Sequence, residues 1–486
     1  MLKTVEHLSL DERRARGEEA RVRTPPSSHS GWAPAEDRRP VDLLEEQNAR
    51  RDPDLVPVRR GRMMVSPFTF YRGAARVMAA DLESTPTAGL DVQLCGDAHL
   101  SNFGVFGSPE RRLVFDVNDF DETLPGPFEY DVLRLAASIA VAAHANGFTE
   151  SDTVAATRAC VRTYREGMAE FAGMRVLDVW YAHIDEEDLE RAVRQATSQL
   201  ADGNGRHPDK AATKEATKEA KKLQKRFEKN ARKARSRTSM QALSKLTEVV
   251  DGRYRIVGTP PVIVPGRQLH ELYGIDETEL EAIILDQFAE YRESLPMDRR
   301  LLLDRFELVD WARKVVGVGS VGTRAFIALL QGRDQQDPLF LQIKEATSSV
   351  LEGPLRHSRF SHAGERVVQG QRLMQATSDI FLGWSTGAQD DRFFYWRQLR
   401  DMKGSATVEL MTPEALRSYG RLCGWTLARA HARSGDPVAI AAYLGEDDAF
   451  DRGVTDFSQR YAAQNERDFR AFTDAIRDTG LATVDV

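Results

Sequence analysis

Asp97 and Asn102 stand five positions apart in Cys95-Gly-Asp-Ala-His-Leu-Ser-Asn102-Phe-Gly104, with His99 between them. The run Val92-Gln-Leu-Cys95 just before them predicts a short strand, so both polar side chains leave a strand end on one loop. A carboxylate placed this way can orient an attacking hydroxyl and accept its proton, and an amide oxygen can hold a hard cation. A second acidic loop, Asp116-Val-Asn-Asp119-Phe-Asp121-Glu122, closes the next predicted strand, around Leu113–Asn118. Magnesium takes one or two carboxylates and completes its shell with phosphate oxygens, so a single Asp from this loop would suffice. Asx-rich loops also cap turns. Two such loops at successive strand ends favour chemistry over capping.

Two further signals lie far downstream. Gly317-Val-Gly319-Ser320-Val-Gly322 is a glycine-rich turn, and a dinucleotide-binding turn of that kind should open a helix. Here β-branched and aromatic residues follow, then the turn Gly332–Pro338 and another strand, which predicts a β-hairpin over a ligand. In the strand Leu339-FLQIKE-Ala346, Lys344 has apolar neighbours, and a lysine buried there needs an anionic partner. A glutamate on the following helix is expected to supply one. Glu365 is spaced best, and Glu352 lies closer in the chain.

Taken together these motifs resemble the protein-kinase-like superfamily, most of all its aminoglycoside and small-molecule phosphotransferase branch. CGDAHLSN is similar to that branch's HGDxHxxN, with Cys95 where His is usual, and NDFDETLPGPFEYDVLRL to its metal-binding Asp followed by a helix-opening Asp. Spacing to Asp131 favours Asp119 over Asp116 as the metal ligand. More narrowly, residues 56–475 resemble a family of bacterial proteins of unknown function carrying SPFxFxRG, GDAHLxNFG, NDFDE, GVGSVGT, KEA, RQLRDMK and LARAHARSGD.

The resemblance implies an ATP- and magnesium-dependent phosphotransferase. Gly317, Gly319, Ser320, Gly322 and Lys344, with Glu365 or Glu352, would hold the nucleotide. Asn102 and Asp119 would hold metal, and Asp97 would orient a hydroxyl-bearing acceptor. Nucleotidyl transfer on the same parts, or a non-catalytic nucleotide sensor, are the alternatives. A Rossmann oxidoreductase fits poorly, because a hairpin intervenes where a helix should open. Asp97 precedes Gly317 by about 220 residues, the reverse of the usual kinase order. A circular permutation accounts for this.

The implied fold is therefore α+β, two-lobed and kinase-like. Residues 1–40 read as a charged, Pro- and Ser-rich disordered lead-in. Residues 41–300 read as a mainly helical lobe bearing both acidic loops, with a basic helical arm near 206–237. Residues 301–410 read as a small antiparallel β lobe, and 411–486 as helices packing back on the large lobe. The helix Leu416–His431 should lead back in space toward the catalytic loop.

The 486 residues, 41% hydrophobic and 29% charged, can bury a sizeable core. A net charge of -7 gives no reason to expect nucleic acid or membrane as a partner. Cys95, Cys160 and Cys423 lie too far apart for a zinc knuckle or disulfide framework. No leader or membrane-length apolar run is visible, which makes a cytoplasmic protein the expectation.

Overall fold

A computed structural model describes residues 7–191, 194, 225, 229, 231–315, 317–388, 392–399 and 401–484. The architecture is mixed α+β with antiparallel sheets. Most of the basic arm expected near 206–237 lies outside the described residues.

The larger sheet has six antiparallel strands. From one edge to the other they are Gly383–Thr386, Phe393–Gln398, Pro338–Ala346, Ala325–Gln331, Glu307–Lys314 and Ile263–Pro265. Strand alternation assigns its two faces. Leu339, Leu341 and Ile343 join Phe394 and Trp396 in one apolar cluster, where Tyr291 stacks flat on Trp396 at 4.5 Å. Their even-numbered neighbours Gln342 and Lys344, with Tyr395 and Arg397 from the adjoining strand, point to the opposite face. The helix Ala363–Met374 packs on this sheet, as expected for 301–410.

The expected lobe boundary near residue 300 needs correction. The strand Ile263–Pro265 adds an edge to this sheet, and Leu280, Tyr291, Leu295 and Leu303 cover its apolar face. The segment from about 263 to 303 therefore belongs with the β module. Its helices bury the hydrophobic side that a lone sheet would expose.

The second body surrounds the helices Phe128–Ala145, Glu150–Ala172, Pro413–Ser434 and Ala449–Thr479, which share one apolar core. The first of them is buried along nearly its whole length, in keeping with its alanine-rich, uncharged run. The C-terminal helices thus share the core of the first two. The end of Pro413–Ser434 meets the strand Asp91–Leu94, where Ser434 Oγ accepts the amide of Gln93 at 3.0 Å. Chain ends far apart in sequence adjoin here in space.

The lead-in is also corrected. Leu10–Arg23 is a helix with a reciprocal Ser9–Glu12 cap, and it packs against Pro437–Leu444. A Cβ at Gly17 would lie 2.1 Å from the Ala439 carbonyl oxygen, so the helices touch backbone to backbone. Charge and Pro/Ser content concealed this helix because its packing face consists of small residues, Gly17 and Ala20.

Candidate active site

The two acidic loops emerge side by side. The strand Asp91–Leu94 pairs with Leu124–Pro127, and Phe103–Gly107 pairs with Leu113–Val117, so the loops at 95–102 and 118–123 leave adjacent strand ends. They approach so closely that a Cβ at Gly96, where φ is +84°, would sit 2.1 Å from the Glu122 carbonyl oxygen. Only glycine fits that backbone and that gap. Asp131, in the first turn of Phe128–Ala145, accepts the amides of Cys95 at 2.7 Å and Gly96 at 3.0 Å. His431 Nε2 lies 3.3 Å from the same carboxylate. The first acidic loop is thus tied to both helices by its backbone.

Within it, Asn102 Nδ2 donates to the Asp97 carbonyl at 2.9 Å, which leaves the amide oxygen without a partner among the described residues. Asp97 Oδ1 is held by Arg134, 2.8 Å from Nε and 2.7 Å from a terminal nitrogen. Asp97 Oδ2 lies 3.5 Å from His99 Nε2. Burial pushes His99 down to about 4, so at neutral pH this imidazole is uncharged.

Lys344 Nζ crosses from the sheet to the second loop, 2.5 Å from Asp121 Oδ2 and 3.4 Å from Asp119 Oδ1. Burial opposes its charge, but the two carboxylates prevail and hold its pKa above the ordinary lysine value. Asp119 shifts the other way. Burial would raise it, yet Lys344 and Arg397 hold it well below the usual carboxylate range. Asp121 also receives the Tyr395 hydroxyl at 2.6 Å and the Ser320 hydroxyl at 3.2 Å. The glycine turn therefore rests on the acidic loop through Ser320.

That turn joins the strands Glu307–Lys314 and Ala325–Gln331, as expected for a hairpin. The N-terminal segment holds it from outside. Arg62 donates to the Gly317 carbonyl at 2.6 Å, the Asp52 amide to Gly322 at 2.8 Å, and Arg51 to Val321. Leu55 and Val58 pack with Val315 and Val321.

A cavity of about 400 Å³ lies between the loops and the sheet. Asn102, Asp119, Gly317, Ser320 and Lys344 line it, so five of the expected site residues share one wall. Asp97 is not among the lining residues and is tied to Asn102 through its backbone carbonyl, while Gly319 and Gly322 face the N-terminal segment. The glutamate partner of Lys344 is a correction: Glu365 reaches Gln369, and Glu352 reaches the Ser349 amide and His357. The helix Ala363–Met374 presents Gln371 to the cavity instead, and the lysine's anions come from the acidic loop. Asp116 also proves structural. It is buried against Arg429 and caps the Ala376 amide at 2.9 Å.

Sequence reasoning did not assign Arg397, Lys403, Gln342 or Gln371 to this wall, and it offered Arg72 only unranked, beside Tyr71, Arg134 and the Lys245 region, as a residue that could shape an acceptor pocket. Lys403 and Arg397 belong to RQLRDMK, whose repeated basic residues beside a strand end were the available signal. Burial, with Arg397 nearby, lowers Lys403 to about 7.

The donor set suits a magnesium–phosphate ligand. Among the described residues no three His, Cys, Asp or Glu side chains cluster as an all-protein metal site. One carboxylate at Asp119 and the open Asn102 amide oxygen are what magnesium uses when phosphates complete its shell. Among the described residues, no helix is long and apolar enough to cross a membrane.

No curated protein and no solved structure matched the chain. A family model did, over residues 51–475. The chain belongs to the bacterial family described as "Uncharacterized protein conserved in bacteria (DUF2252)".

Proposed function

We propose that the cavity binds magnesium-ATP and transfers its terminal phosphoryl group to a hydroxyl-bearing acceptor, on a circularly permuted kinase-like fold. The observation that carries this reading is the meeting of Lys344 with Asp119 and Asp121. A sheet lysine next to a glycine hairpin and a loop carboxylate next to an Asp/Asn loop converge on one pocket, although the parts lie about 220 residues apart. The contact between Ser434 and Gln93 supports the permutation, since it sets the helix after the β module against the strand before Asp97.

In this reading Lys344 and Arg397 bind phosphate oxygens, and the glycine turn covers them. Magnesium bound at Asn102 and Asp119 would neutralise charge on those oxygens. Asp97 orients the acceptor and takes its proton through Oδ2, because Arg134 occupies Oδ1. Neutral His99 beside Oδ2 adds no competing charge. Catalysis would rest on positioning and on charges fixed before the substrate arrives.

Incubating the protein with ATP labelled in the γ-phosphate or in the adenine tests this, with mass spectrometry of the protein and of candidate hydroxyl acceptors. Transfer of phosphate is expected. Transfer of AMP would instead mean that the nucleotide lies reversed, and no transfer with intact ATP binding would indicate a sensor.

A further inference from the structure

Four basic side chains line the cavity, and two of them lack a hydrogen-bond or ion-pair partner among the described residues. Lys344 is neutralised by Asp119 and Asp121, and Arg397 is bonded to Gln342 Oε1 and the Asn118 carbonyl, each at 3.0 Å. Arg72 and Lys403 line the same cavity, yet neither side chain has a hydrogen bond or ion pair among the described residues. Arg72 Nε is buried without a partner. A cation so placed is costly to leave uncompensated, which makes an anion in the cavity its natural counterpart.

The two have different charged neighbours. Lys403 follows the strand Phe393–Gln398, on the linker leaving the sheet, and it feels Arg397, Asp119 and Lys344. Arg72 lies in the last turn of the helix Pro67–Gly73, where Glu409 and Asp97 favour its charge against burial. The carbonyl of neighbouring Tyr71 accepts from Arg134 at 2.8 Å, the same arginine that holds Asp97. A Cβ at Gly319 would lie 3.1 Å from the Arg72 carbonyl oxygen, so the glycine turn rests directly on this residue. Arg72 thus adjoins the glycine turn through its backbone and lies within electrostatic reach of Asp97, along the path a phosphoryl group in transit would take.

We propose that Arg72 is a catalytic residue whose guanidinium holds the terminal phosphoryl group during transfer, with Lys403 beside the phosphates that Lys344 and Arg397 bind. This rests on the phosphotransfer reading above and gives it a direction. The acceptor oxygen forms a bond to the γ-phosphorus, and the bond from that phosphorus to the β–γ bridging oxygen breaks. ADP leaves with the electron pair, and the acceptor proton passes to Asp97. A planar guanidinium fork can bond two of the equatorial oxygens at once, as a lysine cannot. AMP transfer would need the α-phosphorus beside Asp97, and Arg72 would then face the wrong phosphate.

The test is calorimetric, on the full chain and on Arg72→Gln and Arg72→Lys, each checked for an unchanged thermal melt. The probes are magnesium-ADP alone and magnesium-ADP with aluminium fluoride, which stands in for the planar phosphoryl group. The wild type should bind the fluoroaluminate complex more tightly than magnesium-ADP. Arg72→Gln should lose about 10- to 100-fold of that gain, the worth of charge-assisted hydrogen bonds, while magnesium-ADP affinity stays within about threefold. Arg72→Lys should keep part of the gain. A full gain in Arg72→Gln overturns the assignment, as does an equal loss of magnesium-ADP binding, which would place Arg72 on the wrong part of the ligand. A wild type that binds magnesium-ADP with no fluoroaluminate gain also overturns it. A wild type blind to magnesium-ADP contradicts the nucleotide reading itself.

Discussion

The segment from Asp116 to Asp131 divides its acidic residues between two environments. Asp116, Glu129 and Asp131 face the interior, where each satisfies backbone amides or a buried cation. Asp119 lines the cavity, and it shares one lysine from the other module with Asp121. Burial alone does not separate the groups, since Lys344 is itself buried. What separates them is the partner. The interior carboxylates satisfy backbone amides or a buried arginine, whereas the cavity carboxylates share a lysine at a place large enough for a ligand. An interior carboxylate should therefore report on stability and a cavity carboxylate on ligand.

The largest expected effect is at the interior pair. Asp116→Ala strands Arg429, which is 1% exposed, and should destabilise the fold by about 3–5 kcal/mol in a denaturant titration. Asp119→Ala should leave stability within about 1 kcal/mol and weaken magnesium-ATP binding, so similar denaturation midpoints for the two variants would break the distinction.

Next comes Asp97→Asn, which keeps shape and removes the proton acceptor. Turnover should fall by about 10²–10⁴-fold with ATP affinity intact. A wild-type rate would make Asp97 a loop residue held by Arg134.

An effect that grows with pH is expected at Glu129. Its Oε1 accepts the Ala88 amide at 2.7 Å, its Oε2 is buried without a partner among the described residues, and burial raises it from 4.5 to about 8. The folded state thus favours the protonated form. That contribution is full below about pH 4.5 and is lost as pH rises toward about 8. Relative to Glu129→Gln, the wild type should lose at most about 1.4 kcal/mol per pH unit across that window. Parallel stability–pH curves would show that Glu129 is ionised in the fold.

The smallest is Tyr395→Phe, which removes one hydrogen bond to Asp121. It should weaken magnesium-ATP binding by about 1 kcal/mol, roughly fivefold, with little change in the melt. A larger loss of stability than of affinity would move Asp121 into the interior group.

Much of the site was legible because its signals are local. The Asp/Asn spacing at 97–102, the acidic run at 116–122 and a lysine inside an apolar strand each carry their meaning within ten residues. Alternation along Pro338–Ala346 even specifies the face Lys344 must use. The lysine's partner was not legible, because Glu365 and Glu352 are near in sequence while Asp121 is near only in space. Lys403 was hidden, and Arg72 could not be ranked above Tyr71 or Arg134, for the same reason, since an unpaired cation shows itself only once every pair around it is known. The N-terminal helix escaped because a face of glycine and alanine carries little hydrophobic signal, yet it permits the closest packing. The edge strand Ile263–Pro265 is three residues long, too short for a period to be read.

The most direct test of the central claim is a calorimetric titration of magnesium-ATP into the wild type, Lys344→Met and Asp119→Asn, with and without magnesium. The account predicts magnesium-dependent binding in the wild type, a loss of about tenfold or more in Lys344→Met, and loss of the magnesium dependence in Asp119→Asn. Equal, magnesium-independent binding in all three proteins, or none in the wild type, would contradict it.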